Sequence, residues 1–249
     1  MKPAPPVTQT VRELIAKPLS RRDVTRLEPL GRRFYQRDTV AVARALLGKV
    51  LVRRLPEGIV AVRLVEVEAY LGVGDRACHS SGGRRTARNQ VMWGEAGHLY
   101  VYFTYGMHHC ANVVTRRVGV PEAVLLRGAV PLFGRELLVA RRAGRDGERA
   151  LDGPARLAQA LGLDRTDNGV DLTTGGAVFL ADDGFRWRPE WTAALPRVGV
   201  AYAGAAAGWP LRFLAVAARR PGGSRARRGA RGGAAAGRLR QRGRPAAGR

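Results

Sequence analysis

The sequence predicts an α+β fold: a single compact domain with a curved mixed or antiparallel sheet, flanking helices and a protruding β-hairpin. Helical and strand patterns interleave along the chain without the regular strand–helix–strand rhythm of a parallel sheet. Two β-prone runs flank one glycine, which is the pattern of a hairpin. An apolar share of 45% is enough for a real core and excludes disorder over the full length of 249 residues.

The elements follow in order. Residues 1–28 mix Pro, Thr and Arg around one short apolar stretch, Val11 to Ile15, and read as a flexible N-terminal arm. Thr39 to Leu47 reads as a helix, and Lys49 to Val52 as a strand. From Ile59 to Tyr70 the residues alternate. Val65, Val67 and Ala69 are expected on one face, and Glu66, Glu68 and Tyr70 on the other. Two carboxylates and a tyrosine on one side of so apolar a strand suggest a pocket. Gly72 to Asn89 is rich in Gly, Ser and Arg and reads as a loop. Leu99 to Val114 forms the hairpin, with Tyr105, Gly106 and Met107 near its tip. Ala123 to Arg127 is a further strand, and Leu132–Arg142 and Gly153–Leu161 have helical spacing. The domain is expected over 29–217. Residues 218–249 form a Gly/Ala/Arg tail too poor in apolar surface to offset chain entropy, and are expected to be disordered.

All but three of the 43 cationic side chains are arginine, and the formal charge is +23. The arginine bias fits a GC-rich bacterial genome. The charge favours a polyanionic partner, and nucleic acid leads because no long basic amphipathic helix points to a membrane. No apolar run approaches the roughly 18 residues of a bilayer span, and the first residues lack a signal-peptide pattern. Two cysteines, Cys78 and Cys110, make no disulfide framework, so a reduced cytoplasmic setting, close to the nucleoid, is expected. Phosphate-loop, dinucleotide, zincin and nucleophile-elbow motifs are all absent. Cys78-His79 and His108-His109-Cys110 lack the usual spacing of zinc ligands. Tyr70, Tyr100, Tyr102, Phe103 and Tyr105 concentrate on or beside the two strands that carry Glu68 and the hairpin. Stacked aromatics next to a carboxylate suit an enzyme that holds a flat, extruded base.

Ordered motifs over residues 30–214 then fall into place: Glu66-Val67-Glu68-Ala69-Tyr70-Leu71-Gly72, Ala77-Cys78-His79-Ser80, Gly82-Gly83-Arg84, Thr86-Ala87-Arg88-Asn89 and Leu99-Tyr100-Val101-Tyr102. They continue with Tyr105-Gly106-Met107, Cys110-Ala111-Asn112, Leu125-Leu126-Arg127, Gly153-Pro154-Ala155 and Arg197-Val198-Gly199-Val200. In these the chain resembles the alkyladenine (3-methyladenine) DNA glycosylase family. The resemblance implies a monomeric base-excision repair enzyme acting on double-stranded DNA that contains damaged purines, of the 3-methyladenine, hypoxanthine or ethenoadenine type. It flips the base and hydrolyses the N-glycosidic bond with water, leaving an abasic site.

By that resemblance Glu68 is the general base, and Arg127 and the main-chain carbonyl of Val198 hold the water and nucleotide. Glu66, on the same face, is the residue most easily confused with Glu68. Tyr70 and His79 cover one face of the flipped base and Tyr102 the other, while Asn112 crowds the purine 2-position. Tyr105 is the wedge that fills the vacated stack. Arg84, Arg88 and Arg156 are candidate phosphate contacts. No metal and no cofactor is expected. With Lys2, Lys17 and Lys49 all outside the catalytic motifs, neither is a lyase step.

The chain departs from the family after Val200. The usual Glu-Trp is missing from Ala201 to Pro210, and the short closing strand expected beyond Phe213 gives way to the Arg/Gly tail. Loss of that strand would weaken the fold near Val198. A shifted reading frame, or an arm that adds DNA affinity, are the other readings of the tail. Two rivals to the glycosylase remain: a nucleic-acid binder without activity that works through its tail, and a metal-dependent hydrolase built on Cys78, His79 and His109.

Overall fold

The computed structural model describes residues 15–147 and 150–216. Most of what positions the site belongs to one antiparallel sheet. Its strands are β1 (Val50–Leu55), β2 (Gly58–Tyr70), β3 (Leu99–Thr104), β4 (His108–Thr115), β5 (Glu122–Phe133), β6 (Val178–Ala181), β7 (Thr192–Leu195) and β8 (Arg212–Ala215). The spatial order is β3-β4-β5-β2-β1-β6, with β8 pairing both β2 and β7. The long central strand β2 has β5 along one side. Its other side is shared by β1 at the start and β8 at the end. The α+β expectation holds, with every ladder antiparallel.

Among the described residues five α-helices accompany the sheet: α1 (Arg21–Thr25), α2 (Arg32–Tyr35), α3 (Thr39–Leu46), α4 (Arg135–Arg141) and α5 (Pro154–Leu161). Helix α3 starts where Asp38 accepts hydrogen bonds from the Val40 and Ala41 amides, satisfying two free donors of the first turn. Val42, Ala43 and Leu46 of α3 and Leu157, Ala158 and Leu161 of α5 bury against Val60, Val62, Leu64, Val67 and Ala69 of β2.

The alternation expected on β2 is broken once. Between Leu64 and Glu66 the ladder carries one extra residue on β2, and between Glu66 and Val67 one extra on β5. Val65 and Arg127 are therefore bulged residues, one on each strand. Val65 accordingly packs with Val130 and Leu214 rather than with the core that holds Val67 and Ala69. Its expected place on the same face as those two residues is thus corrected. Glu66, Glu68 and Tyr70 keep the face assigned to them.

Three further expectations change. Residues 15–28 were grouped with a flexible arm, yet Ile15 and Val24 are buried. The Ile15 carbonyl accepts from Arg63 Nε and the Leu19 amide donates to Leu132. Apolar contact ties this stretch to the domain, and residues 1–14 lie outside the described residues. The helix expected from Leu132 starts at Arg135, because β5 runs on to Phe133 and turns at Gly134 (φ 71°). A Cβ at Gly134 would sit 2.5 Å from the Ile59 carbonyl, so only glycine fits this turn. The segment after Pro210 does form a closing strand, β8, which pairs Glu66–Glu68 on one side and β7 on the other. The expected tail, 218–249, lies wholly outside the described residues.

Candidate active site

The C-terminal half of β2 delivers Glu68 and Tyr70 to one side of a cavity of about 330 Å³, near the lower end of the range for ligand pockets. Tyr70, His79, Tyr100, Tyr102, Asn112 and Arg127 line it, and Tyr105, Val198 and Tyr202 stand at its edge. The wall is aromatic because β3 and β4 pair in register, with Tyr100 opposite Asn112 and Tyr102 opposite Cys110. Alternation then sends both tyrosines to the same face.

Glu68 itself is fully buried. It lies one layer beneath the lining, and its partners are what reach the cavity. Oε2 accepts from the Tyr70 hydroxyl at 2.9 Å and Oε1 from the Val198 amide at 2.8 Å. Arg127 Nε lies 3.4 Å from Oε1. Burial pushes the Glu68 carboxyl above the usual carboxylate range, while Arg127, the Val198 amide and the Tyr70 hydroxyl oppose that shift. Burial and the neighbouring carboxylate also raise the Tyr70 phenol, which therefore stays protonated and donates.

Glu66 and Glu68 share a face but differ in partners. Glu66 Oε1 accepts from Arg127 Nε and from Arg212 Nη1, both at 3.0 Å. It is consumed in tying β2 to β5 and β8. The bulge at Arg127 aims that side chain across the strand so that one Nε serves both carboxylates, a common use of bulges beside active sites.

On the aromatic wall, His79 Nδ1 and the Tyr100 hydroxyl are 2.8 Å apart. The His79 ring meets Tyr102 edge-on at 4.5 Å. Burial, helped by Arg88, lowers the His79 pKa from 6.5 to about 4, so the imidazole is neutral at neutral pH. Asn112 is buried and its amide donates to the Tyr100 carbonyl at 3.1 Å. Arg88 lies over the Tyr102 ring at 4.9 Å and donates to the Phe103 carbonyl. Arg84 is exposed on the loop after His79. Arg156 is exposed on the first turn of α5, two residues beyond Pro154, which lines the cavity. Tyr105 is 84% exposed at the hairpin tip. It has φ 51° and is followed by Gly106 at φ 66°, paired positive angles in a tight turn that the Met107 amide closes by donating to the Thr104 carbonyl, within a three-residue connection between β3 and β4.

The cavity thus gathers Tyr70, His79, Tyr102, Asn112, Arg127 and Val198, with Tyr105 at the edge and Glu68 immediately behind. Val198 meets Glu68 through its N–H, a contact separate from the one its carbonyl was expected to make with the water. Cys78 and Cys110 line the same cavity as unpaired thiols, and among the described residues no three His, Cys, Asp or Glu side chains come together as a metal site. Three contributors were not named as site residues from the sequence. Tyr202, at the mouth, sits in the divergent stretch after Val200. Asp75 and Arg197, a buried pair behind Tyr70, are 122 residues apart, and nothing in either local sequence names the other.

The model of the methylpurine-DNA glycosylase family matches residues 33–219. A protein of Methanocella arvoryzae named as a candidate 3-methyladenine DNA glycosylase is 46% identical over 185 residues, covering 74% of this chain and 90% of its own. A likewise named protein of Desulfitobacterium hafniense is 44% identical over 195 residues, covering 75% and 95%. This chain belongs to the methylpurine-DNA glycosylase family.

Proposed function

We propose that the protein is a monofunctional DNA-repair glycosylase. It flips an alkylated or deaminated purine (3-methyladenine, hypoxanthine or ethenoadenine) out of duplex DNA and hydrolyses its N-glycosidic bond. The observation that carries this reading is the aromatic cavity with the fully buried Glu68 carboxylate behind its wall.

In this reading the purine lies between Tyr70 on one side and Tyr102 on the other, with His79, in edge contact with Tyr102 at 4.5 Å, on the Tyr102 side rather than the Tyr70 side anticipated from the sequence. Each stacked face contributes about 1–3 kcal/mol. A neutral His79 adds no positive charge against a cationic alkylated base, and the tyrosine rings favour one electrostatically. Glu68, its pKa raised, takes a proton from the attacking water, a step worth about 10²–10⁴-fold. Arg127 and the Val198 backbone keep that carboxylate and the water in place. Asn112 crowds the purine 2-position and so disfavours normal guanine. Tyr105 fills the gap left by the nucleotide, offsetting part of the few kcal/mol of unstacking. Arg84, Arg88 and Arg156 hold phosphates without reading sequence.

Hydrolysis without a lyase step is supported by the lysines. Lys49 is paired with Asp182 at 2.5 Å, away from the cavity lining, and Lys17 is exposed on the segment before α1. We place the protein in the cytoplasm as a monomer needing no metal or cofactor. Among the described residues no helix is long and apolar enough to cross a membrane. The test is incubation with duplexes carrying each lesion in EDTA, followed by alkaline cleavage of abasic sites. Base release is expected from at least one duplex, and release from none overturns the reading.

A further inference from the structure

Behind Tyr70 lies the most completely buried ion pair among the described residues, Asp75–Arg197, with both side chains at 0% exposure. Asp75 Oδ2 and Oδ1 accept from Arg197 Nη1 and Nη2 at 2.5 and 2.8 Å, a bidentate fork. The same two oxygens accept the Leu71 and Ala77 amides, both at 3.0 Å. The loop that leads from Tyr70 to His79 is therefore pinned at both ends. Arg197 also donates to the Ala69 carbonyl at 3.0 Å and the Ala206 carbonyl at 3.2 Å. Its guanidinium covers the Tyr70 ring at 4.7 Å. The next residue in the chain is Val198, whose amide holds Glu68.

We propose that Asp75 and Arg197 are positioning residues of the glycosylase site: one ion pair fixes the Tyr70 ring, the His79 loop and the Val198 amide relative to Glu68. The inference rests on the glycosylase reading above for its kinetic consequence, but not for its geometric one. A pair buried only for stability is a poor bargain, since desolvation cancels most of its attraction and apolar replacements are often neutral. What such a pair does supply is direction. A guanidinium fork fixes both distance and angle, and here it joins three separate walls of one cavity: the end of β2, the 71–79 loop and the 197–206 segment. The pair Arg53–Asp167 is nearly as enclosed, at 11% and 7% side-chain exposure, yet neither residue lines the cavity, so it serves as the structural comparison.

Glu68 is faced by Glu66 and Tyr70 from β2, Cys110 from β4, Arg127 from β5, and Arg197 with the Val198 amide from the segment before β8. Freeing the 197–198 segment removes one donor and moves one positive charge from that set. Both changes raise the pH at which Glu68 ionises.

The experiment compares wild type with Asp75→Asn/Arg197→Met and with the control Arg53→Met/Asp167→Asn. Single-turnover purine release is measured at saturating enzyme across pH, and hydrogen exchange is followed at the Val198 amide. Release by the Asp75/Arg197 variant is expected to fall about 10²-fold, the scale of a 1 Å misplacement, with its acid limb moved to higher pH. Protection of the Val198 amide is expected to be lost. The control is expected to lower Tm while leaving rate, acid limb and Val198 exchange as in wild type. An unchanged rate and acid limb in the Asp75/Arg197 variant, with Tm lowered as in the control, would reduce the pair to a structural role. Should wild type release no purine, the glycosylase reading fails alone, because Val198 exchange still decides whether the pair holds that amide. Arg197→Lys, which keeps the charge and loses the fork, carries the same readouts if the double variant does not fold.

Discussion

Beneath the cavity, Glu66, Glu68, Arg127 and Arg197 are all buried, and each is held by an oppositely charged or hydrogen-bonding partner. Around the mouth, Tyr105, Val198 and Tyr202 put large apolar side chains into water, at 84%, 49% and 67% exposure. The floor spends its polar groups on one another and so keeps its geometry before any substrate arrives. The rim leaves surface unburied that only a partner can cover. Chemistry that needs precise distances belongs to the first, and recognition of an opened duplex to the second.

Glu68→Gln cuts deepest into the floor. It keeps the shape but cannot take a proton, and purine release is expected to fall by about 10²–10⁴-fold in single-turnover assays. Binding to a lesion duplex should be kept, and normal turnover would exclude Glu68 as the base. In wild type the base must be ionised, so release should fail as pH drops. Because burial raises the Glu68 pKa, the limb should lie above the pH expected for an ordinary glutamate.

At the rim, Tyr105→Ala is expected to weaken capture of the flipped state by about 1–3 kcal/mol, the worth of one stacked ring, with Tm unchanged. Loss of Tm instead would mean that the hairpin tip supports the fold. His79 sharpens the contrast from the floor side. Its pKa is about 4 in the folded protein against 6.5 ordinarily, so the unfolded chain binds the extra proton between those values. Stability should therefore decline as pH falls from about 6.5 to 4, by up to about 3 kcal/mol, and His79→Gln should flatten the curve of Tm against pH. The smallest effects are expected from Arg84→Ala and Arg88→Ala. Each should reduce the slope of log affinity against log salt by about 1, with little change in lesion preference.

How much of this was legible beforehand follows from the range of the forces involved. Alternation on β2 and the glycine between two β-prone runs are local signals, and they placed Glu68, Tyr70 and the Tyr105 tip correctly. The family motifs named Arg127, His79, Tyr102 and Asn112, all now found at one cavity. Contacts set by tertiary packing left no local trace. The short strands β6, β7 and β8 are held by their ladders rather than by propensity, and β8 formed from a segment whose strand was expected to be lost. Ile15 looked like part of an arm because its partner, Arg63, is 48 residues away. The Asp75–Arg197 fork was invisible for the same reason.

The two insertions at Val65 and Arg127 have a consequence for how this sheet can change. Each is the extra residue of its own bulge, so the strand on either side keeps its inside and outside. Deleting Val65 would join Leu64 to Glu66 in a regular ladder, leaving Glu68 and Tyr70 on the cavity side and removing only the local bend and added twist. The guanidinium that reaches both carboxylates stands on its own bulge, so that irregularity and the charge it carries come and go together.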